Sequence, residues 1–187
     1  MAAVDPKLTF AGDRVPCTEC NLRIGIKSDM TKSQLVSASI AHVEELMSWF
    51  RDREAVSNWG GSPFRYPFSR ESFLEDVYWD RMPTFVLLDT VGTMIGFGQT
   101  YEKEERGHLA RLIVSPGHRG KGHGTALVEQ LSEKARELFS CSEFSLYVVR
   151  DNEVATRCYA KAGFEEASDP SGGIHSPSYI FMIRKQS

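Results

Sequence analysis

A glycine-rich run between a strand pattern and a long helix pattern constrains this chain more than any other sequence feature. The apolar stretch 109–114 is followed, after a short turn, by Arg119, Gly120, Lys121, Gly122, His123 and Gly124, and a helix pattern covers 121–139. Glycines let the backbone approach a ligand closely, and the amides and macrodipole at a helix start attract anions. The run therefore predicts a site for a phosphate-bearing ligand, to which Arg119 and Lys121 add positive charge.

Two common phosphate-binding motifs do not fit this run. A Walker A motif requires Lys and then Ser or Thr after its second glycine, whereas Gly122 is followed by His123 and Gly124. The dinucleotide pattern G-x-G-x-x-G also fails, because Thr125 or Leu127 stands where the third glycine is needed. A P-loop and a Rossmann cofactor are therefore disfavoured.

The rest of the pattern predicts a mixed sheet flanked by helices. Apolar periodicity indicates strands at 34–40, 84–89, 93–101, 108–114, 143–149 and 179–183, and helices at 41–51, 69–79, 121–139 and 153–162. The second to fourth strands form an antiparallel meander, with a charged connection at 102–107, and the helix after it predicts a crossover to a parallel strand. The expected fold class is α/β (α+β), with a mixed, mostly antiparallel sheet of six to seven strands and about four helices.

Length and charge limit the class of protein. A chain of 187 residues fits one domain at 31–187, preceded by a poorly patterned extension at 1–30, and Met30 is an alternative start. The formal net charge of −3 lacks the positive excess that nucleic-acid binding needs. No apolar run reaches the ~18 residues of a membrane span, and charged residues interrupt the first ten positions. We therefore expect a cytoplasmic protein that binds neither nucleic acid nor a membrane.

The four cysteines do not predict a metal site. Cys17 and Cys20 have the spacing of metal ligands, but the second pair that a four-ligand zinc site needs is missing, since Cys141 and Cys158 stand far apart. We interpret the first pair as reduced thiols in the extension and expect no metal cofactor.

The glycine-rich run and a later segment together resemble the GNAT superfamily of acetyltransferases. The family signature [Q/R]-x-x-G-x-[G/A] is met by Arg119, Gly122 and Gly124, and residues 152–164, with Asn152 and Tyr159, resemble the second family motif. The resemblance covers about residues 33–185. It implies a GNAT fold, acetyl-CoA as acyl donor, and acetyl transfer to a primary amine by direct attack in a ternary complex.

The same resemblance implies which residues hold the cofactor and act on it. Pantetheine would pair with the backbone of Leu112, Ile113 and Val114, and Asn152 would meet the cofactor arm. The pyrophosphate contacts would come from Arg119, Gly120, Lys121, Gly122, His123, Gly124 and Thr125. Tyr159 matches the family's general acid, and a phenol with a pKa near ~10 can supply a proton to the departing thiolate.

The general base is the point at which the chain departs from the family pattern. Tyr147 stands where several relatives carry a glutamate, and His108 stands where other relatives carry it. A histidine can accept a proton from an ammonium group near neutral pH, because its usual pKa is about 6.5. The base stays open between His108, water and a glutamate of the charged connection, which is Glu102, Glu104 or Glu105.

The acceptor side carries the weakest signal. By resemblance, an aromatic segment would form one wall of an acceptor groove, with Trp59, Phe64 and Tyr66 joined by Tyr147, although the same rings would serve equally well as core. The acceptor is open among a peptide N-terminus, a lysine and a small amine, and a homodimer is compatible with the chain. Because the family glutamate is missing, a non-catalytic module that binds or senses acyl-CoA is the alternative function.

Overall fold

Seven strands and five α-helices make up the described part of the chain, which is residues 33–61, 63–170 and 178–185 of the computed structural model. In chain order they are β1 Gln34–Ser37, α1 Ala41–Ser48, α2 Arg53–Gly60, α3 Arg70–Asp76, β2 Thr84–Leu88, β3 Met94–Lys103, β4 Arg106–Val114, α4 His123–Phe139, β5 Glu143–Val149, α5 Glu153–Lys161, β6 Glu165–Glu166 and β7 Tyr179–Lys185. The predictions for residues 1–30, including those for Cys17 and Cys20, lie outside the described residues.

The strands form one sheet in the order β1-β2-β3-β4-β5-β7-β6. Neighbouring strands are antiparallel everywhere apart from β4 and β5, which are parallel and are connected through α4. A parallel pair needs such a crossover, because no tight turn can join the end of one strand to the start of a parallel one. The predicted fold class, a mixed and mostly antiparallel sheet with flanking helices, is confirmed.

The structure has one more helix than the sequence predicts. Helix α2 begins after Asp52, whose Oδ1 accepts a hydrogen bond from the Ala55 amide at 2.8 Å. Its two buried apolar side chains, Val56 and Trp59, are too few to produce a periodic signal before Gly60 ends the helix. The prediction of about four helices missed it for that reason.

The connection between β3 and β4 is shorter than the predicted 102–107. Pairing extends to Lys103 and Arg106, so the turn consists only of Glu104 and Glu105. Both have positive φ angles, 52° and 61°, which is the conformation of a type I′ turn. Such turns usually contain Asn and Gly, and two glutamates therefore gave no signal of one.

Helices cover both faces of the sheet. On one face, α4 packs against β3 and β4 and buries Leu127, Leu131 and Ala135. On the other face, α1, α2 and α3 build an aromatic cluster in which Trp59 stacks on Phe73, with ring centroids 5.9 Å apart. The sheet therefore separates the helices of the α4 face from those of the α2 face. Side chains of the two faces can meet only where neighbouring strands separate.

Helix length bears on membrane crossing. The longest helix, α4, has 17 residues, fewer than the ~20 that a bilayer requires. Within residues 33–61, 63–170 and 178–185, no helix is long and apolar enough to span a membrane.

The packing of α4 predicts an unequal response of two leucines on that helix. Leu131 is fully buried, whereas Leu138 is 50% exposed. We expect Leu131→Ala to lower the free energy of unfolding by about 2–5 kcal/mol, because it leaves a cavity in the core. Leu138→Ala should lower it by less than about 1 kcal/mol. Denaturant titration measures both, and equal losses would contradict the orientation of α4.

Candidate functional site

Strands β4 and β5 separate soon after they meet. Their pairing consists of Gly107 with Phe144 and His108 with Ser145. Beyond these residues β4 continues to Val114 on the β3 side, and β5 continues to Val149 on the β7 side. Among the described residues, no strand pairs with the backbone edge of β4 after His108 on this side. We call this opening the fork.

A β-bulge lies in the part of β4 that borders the fork. Ala110 pairs with Gln99 and Ile113 pairs with Phe97, so Arg111 and Leu112 together face a single residue of β3. Arg111 has a positive φ of 49°, an uncommon conformation for a residue with a side chain. Bulges of this kind redirect backbone groups and are frequent beside active sites.

A cavity occupies the fork and connects the two faces of the sheet. Its wall combines residues of α2, β4, β5 and α5 with the residue that caps α5, namely Asn58, Trp59, Leu109, Arg111, Leu112, Tyr147, Val148, Asn152 and Tyr159. Side chains alternate along β5, so Val148 belongs to the α4 face, whereas Tyr147 points to the α2 face. Two ligands could therefore meet here from opposite faces of the sheet.

The glycine-rich loop leads into α4 without a side-chain cap. Gly122 is the residue before the helix and has a φ of 86°, and no side chain accepts a hydrogen bond from the first amides of α4. The first turn of α4 also carries no acidic residue. The first amides and the positive end of the helix dipole are thus available to an anion, as a pyrophosphate would require.

The basic side chains of the loop stabilise it by hydrogen bonds to backbone carbonyls. Arg119 Nε donates to the Val114 carbonyl at 3.1 Å, and Lys121 Nζ donates to the Gly117 carbonyl at 3.1 Å. Both residues remain exposed. Their positive charge therefore adds to the potential at the helix start while their hydrogen bonds hold the loop.

The third glycine of the loop serves helix packing. A Cβ atom on Gly124 would lie 2.9 Å from Cys158 Sγ, closer than real contacts allow. Thr125, one residue on, has its Oγ1 at 3.7 Å from the same sulfur. The absence of a side chain at Gly124 therefore lets α5 approach α4, and this approach brings the residues of α5 beside the loop.

Helix α5 contributes a phenol and an amide to the cavity wall. Asn152 caps the helix, with its Oδ1 accepting from the Ala155 amide at 3.1 Å. Tyr159 is half-buried, and burial, with a smaller effect of the neighbouring Cys158, raises the pKa of its phenol above the usual 10.0. The Tyr159 hydroxyl therefore keeps its proton at neutral pH and is suited to donate it.

His108 lies at the apex of the fork, on the α2 face. Its side chain is 1% exposed, and Nδ1 lies 2.9 Å from Ser145 Oγ. The ring is flanked by Tyr101 and Tyr147, at centroid distances of 4.9 and 5.3 Å. Tyr147 in turn donates to Asp169 Oδ1 at 3.0 Å and lines the cavity. A buried imidazole thus contacts a ring of the cavity wall.

Glu104 and Glu105 lie in the β3–β4 turn, at the tip of the hairpin and before the point where the fork opens. Glu104 and Glu105 form the exposed tip, and Glu104 pairs with Arg106 at 3.6 Å. The cavity begins four or five residues further along the chain, at Leu109, which corresponds to roughly 13–17 Å of strand. These carboxylates therefore lie far from the fork compared with His108.

The aromatic residues predicted to form a groove divide between the cavity and the core. Trp59 and Tyr147 line the cavity. Phe64 is 4% exposed and packs between Trp59 and Phe73, with centroid distances of 5.6 and 5.2 Å, so its role is core packing. Tyr66 packs edge-on against Phe68 and donates its hydroxyl to the Arg51 carbonyl at 2.9 Å. Phe64 is therefore better described as core than as groove wall.

Two polar residues of the cavity wall were not anticipated as site residues from the sequence. Asn58 is a polar residue of α2, the helix that the pattern missed. Arg111 stands within the otherwise apolar run 109–114, and a single charge in a buried strand was a signal that could have drawn attention to it. Among the described residues, no three His, Cys, Asp or Glu side chains are grouped closely enough to hold a metal ion.

The fork, the bulge and the uncapped helix start define a fold that can hold an extended phosphate-bearing ligand between two parallel strands. The sequence profile of the acetyltransferase (GNAT) family matches residues 53–164, which include all of these features. The chain belongs to this family.

Similar proteins of known sequence carry acetyltransferase names. The chain is 34% identical over 99 residues to a mycothiol acetyltransferase of Propionibacterium freudenreichii subsp. shermanii, covering 51% of this chain and 31% of that protein. It is 29% identical over 113 residues to the uncharacterized N-acetyltransferase YobR of Bacillus subtilis (strain 168), covering 59% and 43%. The chain thus spans less than half the length of either. An aminoglycoside N(6')-acetyltransferase type 1 of Klebsiella pneumoniae is 26% identical over 156 residues, covering 74% and 76%.

Solved structures share the fold at low sequence identity. A spermidine N-acetyltransferase from Vibrio cholerae, in complex with CoA and spermine, superposes with a TM-score of 0.64 at 20% identity, covering 82% of this chain and 95% of that one. AAC(6')-Ib, in complex with ribostamycin and coenzyme A, gives a TM-score of 0.66 at 20% identity, covering 82% and 93%. These likenesses establish a common fold.

The chain offers a matched pair of glycines with which to test the loop. Gly122 and Gly92 both have a φ of 86°, and a Cβ atom at either would meet nothing within 4 Å. Valine at each position should therefore cost a similar ~1–2 kcal/mol of backbone strain. Only at Gly122 does the side chain lie where an anion would approach the helix start.

We expect Gly122→Val to weaken CoA binding at least about 10-fold, since charge-assisted hydrogen bonds of about 1.5–3 kcal/mol are lost. Gly92→Val should leave the affinity unchanged. Isothermal titration with CoA measures both variants, with unfolding temperatures as the check on strain. Equal affinities for the two variants would remove the loop from the site.

Proposed function

We propose that this protein transfers the acetyl group of acetyl-CoA to a primary amine. The observation that carries the proposal is that a single opening in the sheet joins an uncapped, glycine-rich helix start to a protonated phenol. Family membership supports the reaction class, and the solved neighbours with CoA or coenzyme A in their complexes support the donor.

The proposed roles on the donor side follow the α4 face of the fork. Acetyl-CoA supplies a thioester-activated acetyl group. The amides of residues 120–125, with Arg119 and Lys121, would bind the pyrophosphate, and the open backbone edge of Leu112, Ile113 and Val114 would pair with the pantetheine amides. Asn152 uses its Oδ1 as the helix cap, which leaves its amide nitrogen to donate to the cofactor arm.

Tyr159 acts as the general acid in this proposal. Tyr159 lines the cavity beside the loop, and its hydroxyl would protonate the sulfur as the carbon–sulfur bond breaks. The raised pKa keeps the phenol in its donating form at neutral pH. Another acid is not required for the departure of CoA.

The amine enters from the α2 face, and His108 receives its proton. Direct attack needs a neutral amine, so one proton must leave the acceptor nitrogen. His108 is the titratable group at the apex of the fork on that face, and its contact with Tyr147 connects it to the cavity wall. Trp59 and Tyr147 would form the walls along which the acceptor lies, with the apolar area and polar edges that aromatic side chains offer.

A panel of amines separates catalysis from simple binding. We expect CoA to be released from acetyl-CoA only when a suitable amine is present. Polyamines and aminoglycosides head the panel because a solved neighbour is named a spermidine N-acetyltransferase and a sequence relative is named an aminoglycoside N(6')-acetyltransferase. Peptides with a free N-terminus or a lysine complete it. Tight binding of acetyl-CoA with no acetylation of any amine would favour the alternative, a module that senses acyl-CoA without turnover.

Replacing the phenol should reduce turnover without loss of the cofactor. We expect Tyr159→Phe to lower kcat about 100-fold or more, within the usual range for a general acid, while CoA affinity stays within about twofold. Steady-state kinetics and CoA titration measure the two quantities. Normal turnover in this variant would show that water or another group protonates the sulfur.

The pH profile provides a separate check on Tyr159. Because its pKa is raised from 10.0, the phenol stays protonated at every pH below about 10, and acid catalysis should not decline in that range. We therefore expect kcat to rise or remain level from pH 7 to 9.5, with Tyr159→Phe reduced by a constant factor throughout. A fall in kcat near pH 8 that Tyr159→Phe abolishes would contradict the raised pKa.

A further inference from the structure

The bulge in β4 is held by a buried arginine that forms no ion pair with a carboxylate of the described residues. Arg111 is 2% exposed and is the largest fully buried side chain of the described residues. Its Nη1 donates to Gln99 Oε1 at 2.8 Å, and its Nη2 donates to the Asp76 carbonyl at 2.9 Å. The Asp76 carboxylate itself pairs with Arg65 at 2.8 Å. The two Nη atoms therefore donate to neutral acceptors at the end of α3 and on β3, whereas the buried Nε has no hydrogen-bond partner among the described residues.

This arrangement is costly in two ways. Burial disfavours the charged form of Arg111 and lowers its pKa to about 10. The residue also adopts a positive φ, which a non-glycine residue normally avoids. A methionine or leucine would fill the same volume without a buried charge, so packing alone does not account for an arginine here.

The partners of Arg111 are themselves fixed. Gln99 Nε2 donates to the Val77 carbonyl at 2.9 Å and to Thr84 Oγ1 at 2.8 Å. The bulge is thereby tied through one side chain to the end of α3 and to β2. Such a network has two or more anchors, so the backbone at Arg111 cannot shift without breaking several hydrogen bonds.

A second tie acts on the backbone of the bulge. Trp59 Nε1 donates to the Arg111 carbonyl at 2.8 Å, and the bond is buried. Because a trans peptide points its C=O and N–H in opposite directions, a carbonyl held towards α2 turns the Leu112 amide away from α2. That direction is towards the α4 face, where Tyr159 lines the cavity.

We propose that Arg111 and Trp59 are positioning residues, which hold the bulge so that the Leu112 amide donates to the carbonyl oxygen of the bound acetyl group. Neither side chain would touch the reacting atoms. A donor fixed in advance stabilises the negative charge that develops on that oxygen during attack by the amine. The inference rests on the proposed function, since it assigns a role within acetyl transfer.

Trp59→Phe tests the tie to the backbone, because it removes the indole N–H and keeps a ring against Phe73. We expect kcat to fall at least about 10-fold, since a small displacement of a donor is costly, while CoA affinity stays within about twofold. Phe64→Leu is the matched control, because it loosens the same aromatic cluster and does not donate to the bulge. It should lower the unfolding temperature comparably and leave kcat within about twofold. Equal losses of kcat in both variants would overturn the proposal.

Arg111→Lys tests the tie through the guanidinium, since one ammonium group cannot reproduce the two hydrogen bonds to Gln99 Oε1 and to the Asp76 carbonyl. We expect a similar loss of kcat, and the double variant with Trp59→Phe should be little worse than either single one, because both act on one peptide group. Fully multiplicative losses would mean that the two residues act on different features, and would contradict the proposal.

An NMR measurement separates this inference from the acetyl-transfer proposal, because it needs no turnover. The Leu112 amide resonance should shift differently with acetyl-CoA and with CoA in the wild type, and this difference should vanish in Trp59→Phe. If no amine is acetylated but the difference is present, the proposed function fails while the positioning role holds. Identical Leu112 shifts with both ligands in the wild type would overturn the positioning role, whatever the activity.

Discussion

The short pairing between β4 and β5 is the constraint on which the rest of the site depends. Two parallel strands that stayed paired would close the sheet and leave its two faces separate. Here pairing ends at His108 and Ser145, and each strand continues against its other neighbour. The opening leaves a strand edge that, in the proposed function, a ligand would reach from the α4 face and an acceptor from the α2 face.

The other features of the site act around that opening. Gly124 lets α5 pack close to α4, which brings Tyr159 beside the glycine-rich helix start. On the opposite face, α2 extends Trp59 to the bulge of β4. The proposed donor site, acid and acceptor wall therefore come from different elements, and each is held by packing that would not itself take part in the chemistry. The same fork accounts for the use of both faces of the sheet.

Periodicity and the glycine-rich loop were sufficient to predict the fold class, because α4 and the central strands have long and regular apolar patterns. The short elements could not be predicted from such patterns. Helix α2 buries only two apolar side chains, and the Glu104–Glu105 turn lacks the residues that are usual for its type. The bulge at Arg111 depends on the register between two strands, which no local pattern encodes. Phe64 shows the same limit, because the sequence alone does not distinguish an aromatic residue of the core from one that lines a groove. The roles of the loop, Tyr159 and His108 stay predictions.

The central claim is that the fork and the uncapped start of α4 hold CoA, and hydrogen–deuterium exchange tests it most directly. With CoA bound, amides in 109–114 and 120–126 should exchange more slowly, because they donate to the ligand or are shielded by it, and the hairpin tip at 103–106 should not change. Unaltered exchange in 120–126, or protection confined to segments away from the fork, would contradict the account.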